Sequence, residues 1–211
     1  MHQVHYTEEQ WIQWMDKLAL NDFVIVDDFI SNELFTIIMD FFHEKEQGDQ
    51  LKKAGIGSSG EFKVNASIRG DFIYWLEKDR DKKLDPFFGL MEELIQSLKR
   101  FCFLSLSGSE FHIAKYPKGS HYDRHLDQFN ERSNRQITVL IYLNEHWKNG
   151  DGGELKIYKD GGEILVEPIA RRLLLFKSDI IEHEVLTTNV SRYSLTGWLL
   201  HQPATVGYFF R

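Results

Sequence analysis

The feature that most constrains how this 211-residue chain can fold is the series of short β-like runs in its second half. They cover residues 110–116, 136–143, 154–158, 163–166, 172–176, 182–186 and 192–200. Asn149-Gly150-Asp151-Gly152-Gly153 and Asp160-Gly161-Gly162 supply turns between them. Short strands at such spacing, broken by turn residues, indicate an antiparallel sandwich or barrel.

The first half is patterned for helices. Thr7 and Gln10 have the form of a capping box, and Trp11, Trp14, Met15 and Leu18 recur at helical spacing to give one apolar face. After Asn21-Asp22, the run Phe23-Val24-Ile25-Val26 reads as a short buried strand. Ser31 can cap a second helix carrying Leu34, Ile37, Ile38, Phe41 and Phe42 on one stripe. Asp85-Pro86 places a capping residue and a first-position proline before a third helix with Phe87, Leu90, Met91, Leu94, Ile95 and Leu98 on its apolar face. Between the second and third helices, residues 55–66 are rich in Gly and Ser and predict a mobile loop or loose hairpin, and residues 67–76 are strand-like. Helices first and strands after describe an α+β order in which the helices buttress one sheet.

The chemistry concentrates in residues 111–129, which hold three histidines, two aspartates and two tyrosines. His125-Leu126-Asp127 sets an imidazole and a carboxylate two residues apart, on one face of an extended strand. Two such groups supply two of the three ligands of a facial triad that leaves coordination positions open on a non-haem Fe(II). His183 stands at the edge of a later strand-like run and can complete the set, with Arg192 nine residues on. A second pair, His121-Tyr122-Asp123, precedes the first, and period two puts all four side chains on one face, so parity leaves open which pair binds metal. His112, His146 and His201 lack comparable surroundings and read as structural or surface residues.

Composition narrows the partners. A formal charge of −7 and a pI near 5.7 argue against affinity built on phosphate neutralisation, hence against nucleic acid. A single cysteine, Cys102, cannot form an intramolecular disulfide and reads as a buried structural thiol, in keeping with a reducing cytoplasm. No apolar run approaches membrane-spanning length, and the N-terminus lacks a signal pattern, so neither insertion nor export is expected.

Tyr116-Pro117, Gly119, Tyr122, Arg124-His125-Leu126-Asp127, Arg135, Thr138, Tyr142-Leu143-Asn144, Gly152-Gly153-Glu154-Leu155, Pro168, Phe176, His183-Glu184-Val185, Arg192-Tyr193 and Trp198 together resemble the 2-oxoglutarate- and Fe(II)-dependent prolyl 4-hydroxylase family. Ile68-Arg69-Gly70-Asp71 followed by Trp75 resembles its oxygen-sensing type and their bacterial relatives. The resemblance implies a double-stranded β-helix, or jelly roll, in one domain over residues 1–211. Residues 1–105 would form a helical support with a finger loop at about 55–66, and residues 106–203 the oxygenase core. It implies Fe(II) on His125, Asp127 and His183. It also implies 2-oxoglutarate on Arg192, Tyr142, Thr196 and Tyr116, although this chain is one residue shorter than the family between Tyr116 and His125. Trp198 is expected to pack beneath the site. Dioxygen would be the second cosubstrate and ascorbate a supporting reductant. The substrate implied is a protein presenting a proline in a flexible loop, with Arg69, Asp71, Tyr122 and Arg124 as contacts, and bacterial relatives suggest a translational GTPase. The residues themselves leave open a free amino acid or another side chain as the substrate, or a non-catalytic jelly-roll module.

Overall fold

The computed structural model describes residues 6–55, 69–128 and 134–201. The proposed finger at 55–66 therefore lies, apart from Gly55, outside the described residues, as does Ile68.

The elements in chain order are α1 (Glu8–Asn21), β1 (Phe23–Val26), α2 (Asn32–Gln47), β2 (Lys52–Lys53), β3 (Phe72–Trp75), α3 (Asp85–Phe101), β4 (Gly108–Tyr116), β5 (Tyr122–His125), β6 (Arg135–Tyr142), β7 (Leu155–Lys159), β8 (Gly162–Val166), β9 (Leu173–Lys177), β10 (Glu182–Val185) and β11 (Arg192–Leu200). The expected capping box closes α1: Gln10 N–H donates to Thr7 Oγ1 and the Gln10 side chain accepts from Thr7 N–H. Ser31 Oγ caps α2 by accepting from Leu34 N–H. The third cap differs from expectation. A 3-10 turn at Lys82–Leu84 runs directly into α3, so Asp85 sits inside the first turn and makes no side-chain cap. Its carboxylate still lies at the positive end of the helix dipole. Cys102, at the C-cap of α3, is half-buried rather than buried.

Two antiparallel sheets face each other as a double-stranded β-helix. The larger has the order β1-β9-β6-β11-β4-β3-β2 and the smaller β5-β10-β7-β8. Strand alternation decides what each face meets. On β6, Ile137, Val139 and Ile141 join Leu195 and Leu199 of β11 and Ile113 of β4 in a core shared with the helices, which contribute Trp11, Met15, Phe42 and Leu94. The intervening Leu140 and Tyr142 face the smaller sheet and pack with Leu155, Ile157 and Phe176. A strand buried on both faces reads as a continuous apolar run, and this is why residues 139–143 are uniformly hydrophobic. Among the described residues no helix is long and apolar enough to cross a membrane.

β5 carries an irregularity that residue parity alone does not disclose. His183 pairs with His125, but Val185 pairs with Tyr122, so three steps along β5 oppose two along β10. One extra residue in a strand is a β-bulge, and it turns the side chains on its two sides out of simple alternation. The expectation that all four members of the two His-x-Asp pairs share a face therefore fails at this bulge.

Candidate active site

The bulge decides between the two pairs. His121 and Asp123 turn to each other, with Nε2 and Oδ1 3.2 Å apart. His125, Asp127 and His183 instead converge, each offering one ligand atom within 4.8 Å of the others, and they are the one such group among the described residues. Asp127 and His183 are buried.

Backbone carbonyls set both histidine tautomers. His125 Nδ1 lies 2.7 Å from the Asp123 carbonyl oxygen and His183 Nδ1 lies 3.1 Å from that of Ile181. A carbonyl can only accept, so each Nδ1 carries the proton and each Nε2 keeps its lone pair. Those Nε2 atoms face the carboxylate, at 3.5 Å from Asp127 Oδ1 and 3.8 Å from Asp127 Oδ2 respectively. Two imidazole lone pairs and one carboxylate, with their tautomers fixed from behind, form a donor set that suits Fe(II). Tyr122 stacks on the His125 ring at 3.8 Å and Phe176 meets the His183 ring edge-on at 4.7 Å, which holds both rings in place.

Asp127 is supported from β6. Thr138 Oγ1 donates to Asp127 Oδ2 at 2.7 Å and lies 2.9 Å from Ser178 Oγ. Since the one Thr138 proton is committed to the carboxylate, Ser178 must be the donor of the second bond. Burial would raise the Asp127 pKa, but His183, His125 and Thr138 together hold it well below the usual carboxylate range. Thr138→Val is expected to lower Fe(II) affinity about 10- to 100-fold, the usual cost of losing a group that orients a ligand. Titration of the metal-free protein with Fe(II) or Co(II) under anaerobic conditions checks this; an unchanged affinity would remove Thr138 from the site.

Burial and the neighbouring His125 push His183 down to about 4. Burial, with Arg69 and Arg135 nearby, also holds His112 well below 6.5. With folded-state values below the unfolded one, the unfolded chain takes up protons first as pH falls. In the metal-free protein the stability these two histidines contribute is therefore fully present above about pH 6.5 and is lost from there down towards pH 4, by at most about 3 kcal/mol for His183. Urea midpoints of EDTA-treated protein should drop between pH 7 and 5, and drop less in His183→Gln. A wild-type midpoint independent of pH would contradict this.

The larger sheet presents Arg192, Ser194, Thr196 and Trp198 on one face of β11, opposite Tyr116, Ala114, His112 and Glu110 of β4. Arg192 is 1% exposed and is among the largest fully buried side chains. Its Nε donates to the Gly153 carbonyl at 2.8 Å and its Nη1 to Ser194 Oγ at 3.4 Å. Nη2 has no hydrogen-bond partner, and Arg192 has no carboxylate partner among the described residues. Gly153 has φ +76°, and a Cβ there would stand 2.8 Å from Arg192 Cδ, so a glycine is needed to let its carbonyl reach the guanidinium. The rings of Tyr116 and Tyr142 lie 4.9 and 5.2 Å from Arg192 Cζ. The Tyr142 hydroxyl is also without a partner of good geometry, and burial pushes its pKa up to about 12 against the pull of Arg192. A buried cation with one free edge beside an unpaired phenol is costly unless an anion completes it. This is the orphaned pair that a carboxylate such as that of 2-oxoglutarate would satisfy, so the residues present fit both iron and cosubstrate.

The remaining candidates divide. Tyr116 and Thr196 line the cleft, so the one-residue shortening before His125 leaves Tyr116 at the site, beside Arg192. Tyr122 and Arg69 line it too, with the Arg69 guanidinium over the Tyr122 ring at 4.7 Å. Asp71 is fully buried, and both its oxygens accept from Arg69 at 2.6 and 2.8 Å. It holds Arg69 rather than reaching a ligand. Arg124 points the other way: it pairs with Glu182 and lies over Tyr158, so strand alternation removes it from the cleft. Trp198, expected beneath the site, lines the cleft with Arg135 over its ring at 3.4 Å. His112, read as structural, lines the cleft as well. It shares a strand face with Tyr116, and the cross-strand register sets it opposite Thr196. Ser194 was missed although it lies midway between Arg192 and Thr196 on the same face.

Comparison with known proteins agrees with this geometry. Residues 111–200 match the family model of the 2OG-Fe(II) oxygenase superfamily. A crystal structure of a Pseudomonas putida prolyl-4-hydroxylase is 32% identical, with 92% of this chain and all of that chain covered, at a TM-score of 0.83. A Trichoplax adhaerens prolyl hydroxylase, in complex with a hypoxia inducible factor oxygen degradation domain peptide fragment, is 27% identical over 95% of this chain and 96% of that one, at 0.85. The non-heme alpha ketoglutarate dependent epimerase SnoN of nogalamycin biosynthesis shares the fold at 9% identity, 96% and 89% coverage and a TM-score of 0.68.

Proposed function

Because this chain belongs to the 2-oxoglutarate- and Fe(II)-dependent prolyl hydroxylase family and is a dioxygenase of that type, we propose that it hydroxylates a prolyl residue of a protein substrate. The observation that carries the reading is the buried Arg192, whose free Nη2 stands beside the unpaired Tyr142 hydroxyl in the cleft that also holds His125, Asp127 and His183. The similarity to a hydroxylase bound to a peptide fragment supports a protein substrate. In this reading residues 106–203 are the oxygenase core and residues 1–105 its support, a support that also lends β1, β2 and β3 to the larger sheet.

In this reading His125 Nε2, Asp127 and His183 Nε2 hold the metal. Bound Fe(II) with dioxygen and 2-oxoglutarate supplies the oxidising chemistry, in which 2-oxoglutarate yields succinate and CO2 and one oxygen atom enters a substrate C–H bond. Arg192 and Tyr142 bind the far carboxylate of the cosubstrate, while Gly153 and Ser194 fix the guanidinium so that binding requires no rearrangement. Thr196 Oγ1, 3.3 Å from Ser194 Oγ, continues this polar track towards the metal ligands. Tyr116 walls the track, and Arg69 braces Tyr122 against His125. Ascorbate belongs in the assay as the reductant that keeps iron ferrous. Among the described residues no feature of the cleft selects a translational GTPase among protein substrates.

The test incubates the enzyme with Fe(II), 2-oxoglutarate, ascorbate and a cell extract and maps single-oxygen additions by mass spectrometry. Prolyl hydroxylation that disappears with His125→Ala supports the reading. Modification of free proline alone, or of no prolyl site, overturns it.

A further inference from the structure

Both ends of Arg192 are held by one loop, residues 143–154 between β6 and β7. Asn144 pins the backbone end. Its Oδ1 accepts from the N–H of Tyr193 at 2.7 Å, and its Nδ2 donates to the carbonyls of Tyr193 at 3.1 Å and Pro168 at 2.7 Å. The N–H of Leu143 also donates to the Tyr193 carbonyl, at 3.1 Å. Arg192 directly precedes Tyr193, so these bonds fix the point on β11 from which its side chain starts.

The guanidinium end is held through Gly152-Gly153. These glycines have φ +69° and +76°, and a Cβ on Gly152 would stand 2.3 Å from the Thr187 carbonyl oxygen. Two glycines in succession are the least constrained pair a chain can offer, so contacts must keep them in place. Trp147 supplies one, its Nε1 donating to the Gly152 carbonyl at 2.9 Å. The N–H of the same peptide unit, that of Gly153, donates to the Thr187 carbonyl at 3.3 Å. A peptide unit is planar, so holding its C=O and its N–H fixes the plane from which the chain continues. The next carbonyl is that of Gly153, which accepts from Arg192 Nε at 2.8 Å.

The Trp147 indole is half-buried and stands in an outer groove of about 760 Å³ with Phe35 and Met39 of α2 and with Tyr193. Neither Trp147 nor Asn144 is among the described residues that line the cleft. An effect of either side chain on a ligand in the cleft must therefore pass through Arg192.

We propose that Asn144 and Trp147 are positioning residues for the cosubstrate, bracketing Arg192 so that its free Nη2 edge meets the far carboxylate without rearrangement. The bracket rests on the assignment of Arg192 to that carboxylate and adds to it the residues that aim the guanidinium from outside the cleft. Trp147→Phe keeps a ring and removes the N–H. The Gly152 carbonyl is then free to swing, and part of the binding energy of the carboxylate goes into ordering the arginine.

The test compares two ligands by calorimetry on Mn(II)-loaded protein: 2-oxoglutarate, and oxalate, which chelates a metal but has no far carboxylate. Trp147→Phe is expected to raise the Kd for 2-oxoglutarate about three- to tenfold, the effect of one lost neutral hydrogen bond, and to leave the Kd for oxalate and for Mn(II) unchanged. Asn144→Ala should show the same selectivity. In an Arg192→Ala background, Trp147→Phe should add nothing, because the group it positions is gone. An unchanged Kd for 2-oxoglutarate in either variant overturns the bracket. So does a parallel loss of oxalate or Mn(II) binding, which marks a structural role alone, and so does an effect of Trp147→Phe that persists in full without Arg192. If Arg192→Ala itself leaves 2-oxoglutarate binding unchanged, the cosubstrate assignment falls and the bracket with it.

Discussion

His125→Ala and His183→Ala are each expected to lower Fe(II)-dependent turnover by more than about a hundredfold, whereas His121→Ala and Asp123→Ala should leave it largely intact. Loss of a group that merely supports a ligand costs about 10- to 100-fold in metal affinity, and loss of the ligand itself exceeds that. The contrast follows from the bulge in β5, which leaves His121 and Asp123 paired with each other at 3.2 Å while His125 joins Asp127 and His183 within 4.8 Å. Turnover is read as succinate formed per enzyme, and metal content as iron retained after desalting. Loss of iron in His121→Ala with retention in His125→Ala would show that the other pair binds metal. Because His183 is buried, a thermal melt of each variant separates a lost ligand from a lost fold.

Arg192→Ala is the second large effect. The side chain is 1% exposed, so its contact with a carboxylate is not screened by water. A hydrogen bond to a charged group contributes about 1.5 to 3 kcal/mol, so the affinity for 2-oxoglutarate should fall at least about tenfold. Iron affinity should survive, since Arg192 is absent from the metal-binding group. Arg192→Lys keeps the charge but lacks the planar fork that meets Gly153 and Ser194 while leaving Nη2 free, so it should recover only part of the loss. Equal affinity for 2-oxoglutarate in Arg192→Ala and the wild type would sink the assignment.

Much of this architecture is legible in the sequence because alternation carries it. On β11 the polar Arg192, Ser194 and Thr196 interleave with Leu195, and on β6 Thr138 and Tyr142 interleave with Ile137, Val139 and Ile141. A reader who trusts period two therefore places Arg192, Thr196 and Tyr142 towards one cleft. The same rule fails between Tyr122 and His125, because a bulge depends on the pairing partner, and no residue in Tyr122-Asp123-Arg124-His125 is a glycine that would mark it. Arg124 adjoins His125 in sequence, which suggests a place in the site, and strand geometry sends it to Glu182 instead. His112 shows the converse: its neighbours in sequence are mostly apolar, and only the cross-strand register sets it opposite Thr196 and next to Trp75 and Trp198. At α3, Asp85-Pro86 has the residues of a helix start, while the 3-10 turn at Lys82–Leu84 begins the helical path earlier.

The central claim is that one cleft holds Fe(II) on His125, Asp127 and His183 and binds 2-oxoglutarate through Arg192. Anaerobic titration of the Fe(II)-loaded protein with 2-oxoglutarate tests it without any knowledge of the substrate, through the visible absorption band that Fe(II) and a chelating 2-oxo acid produce together. The account predicts a saturable band in the wild type, the same band in Arg192→Ala at 2-oxoglutarate concentrations at least about tenfold higher, and no band in His183→Ala. A wild-type protein that binds iron and gives no band, or a band that persists in His183→Ala, would contradict it.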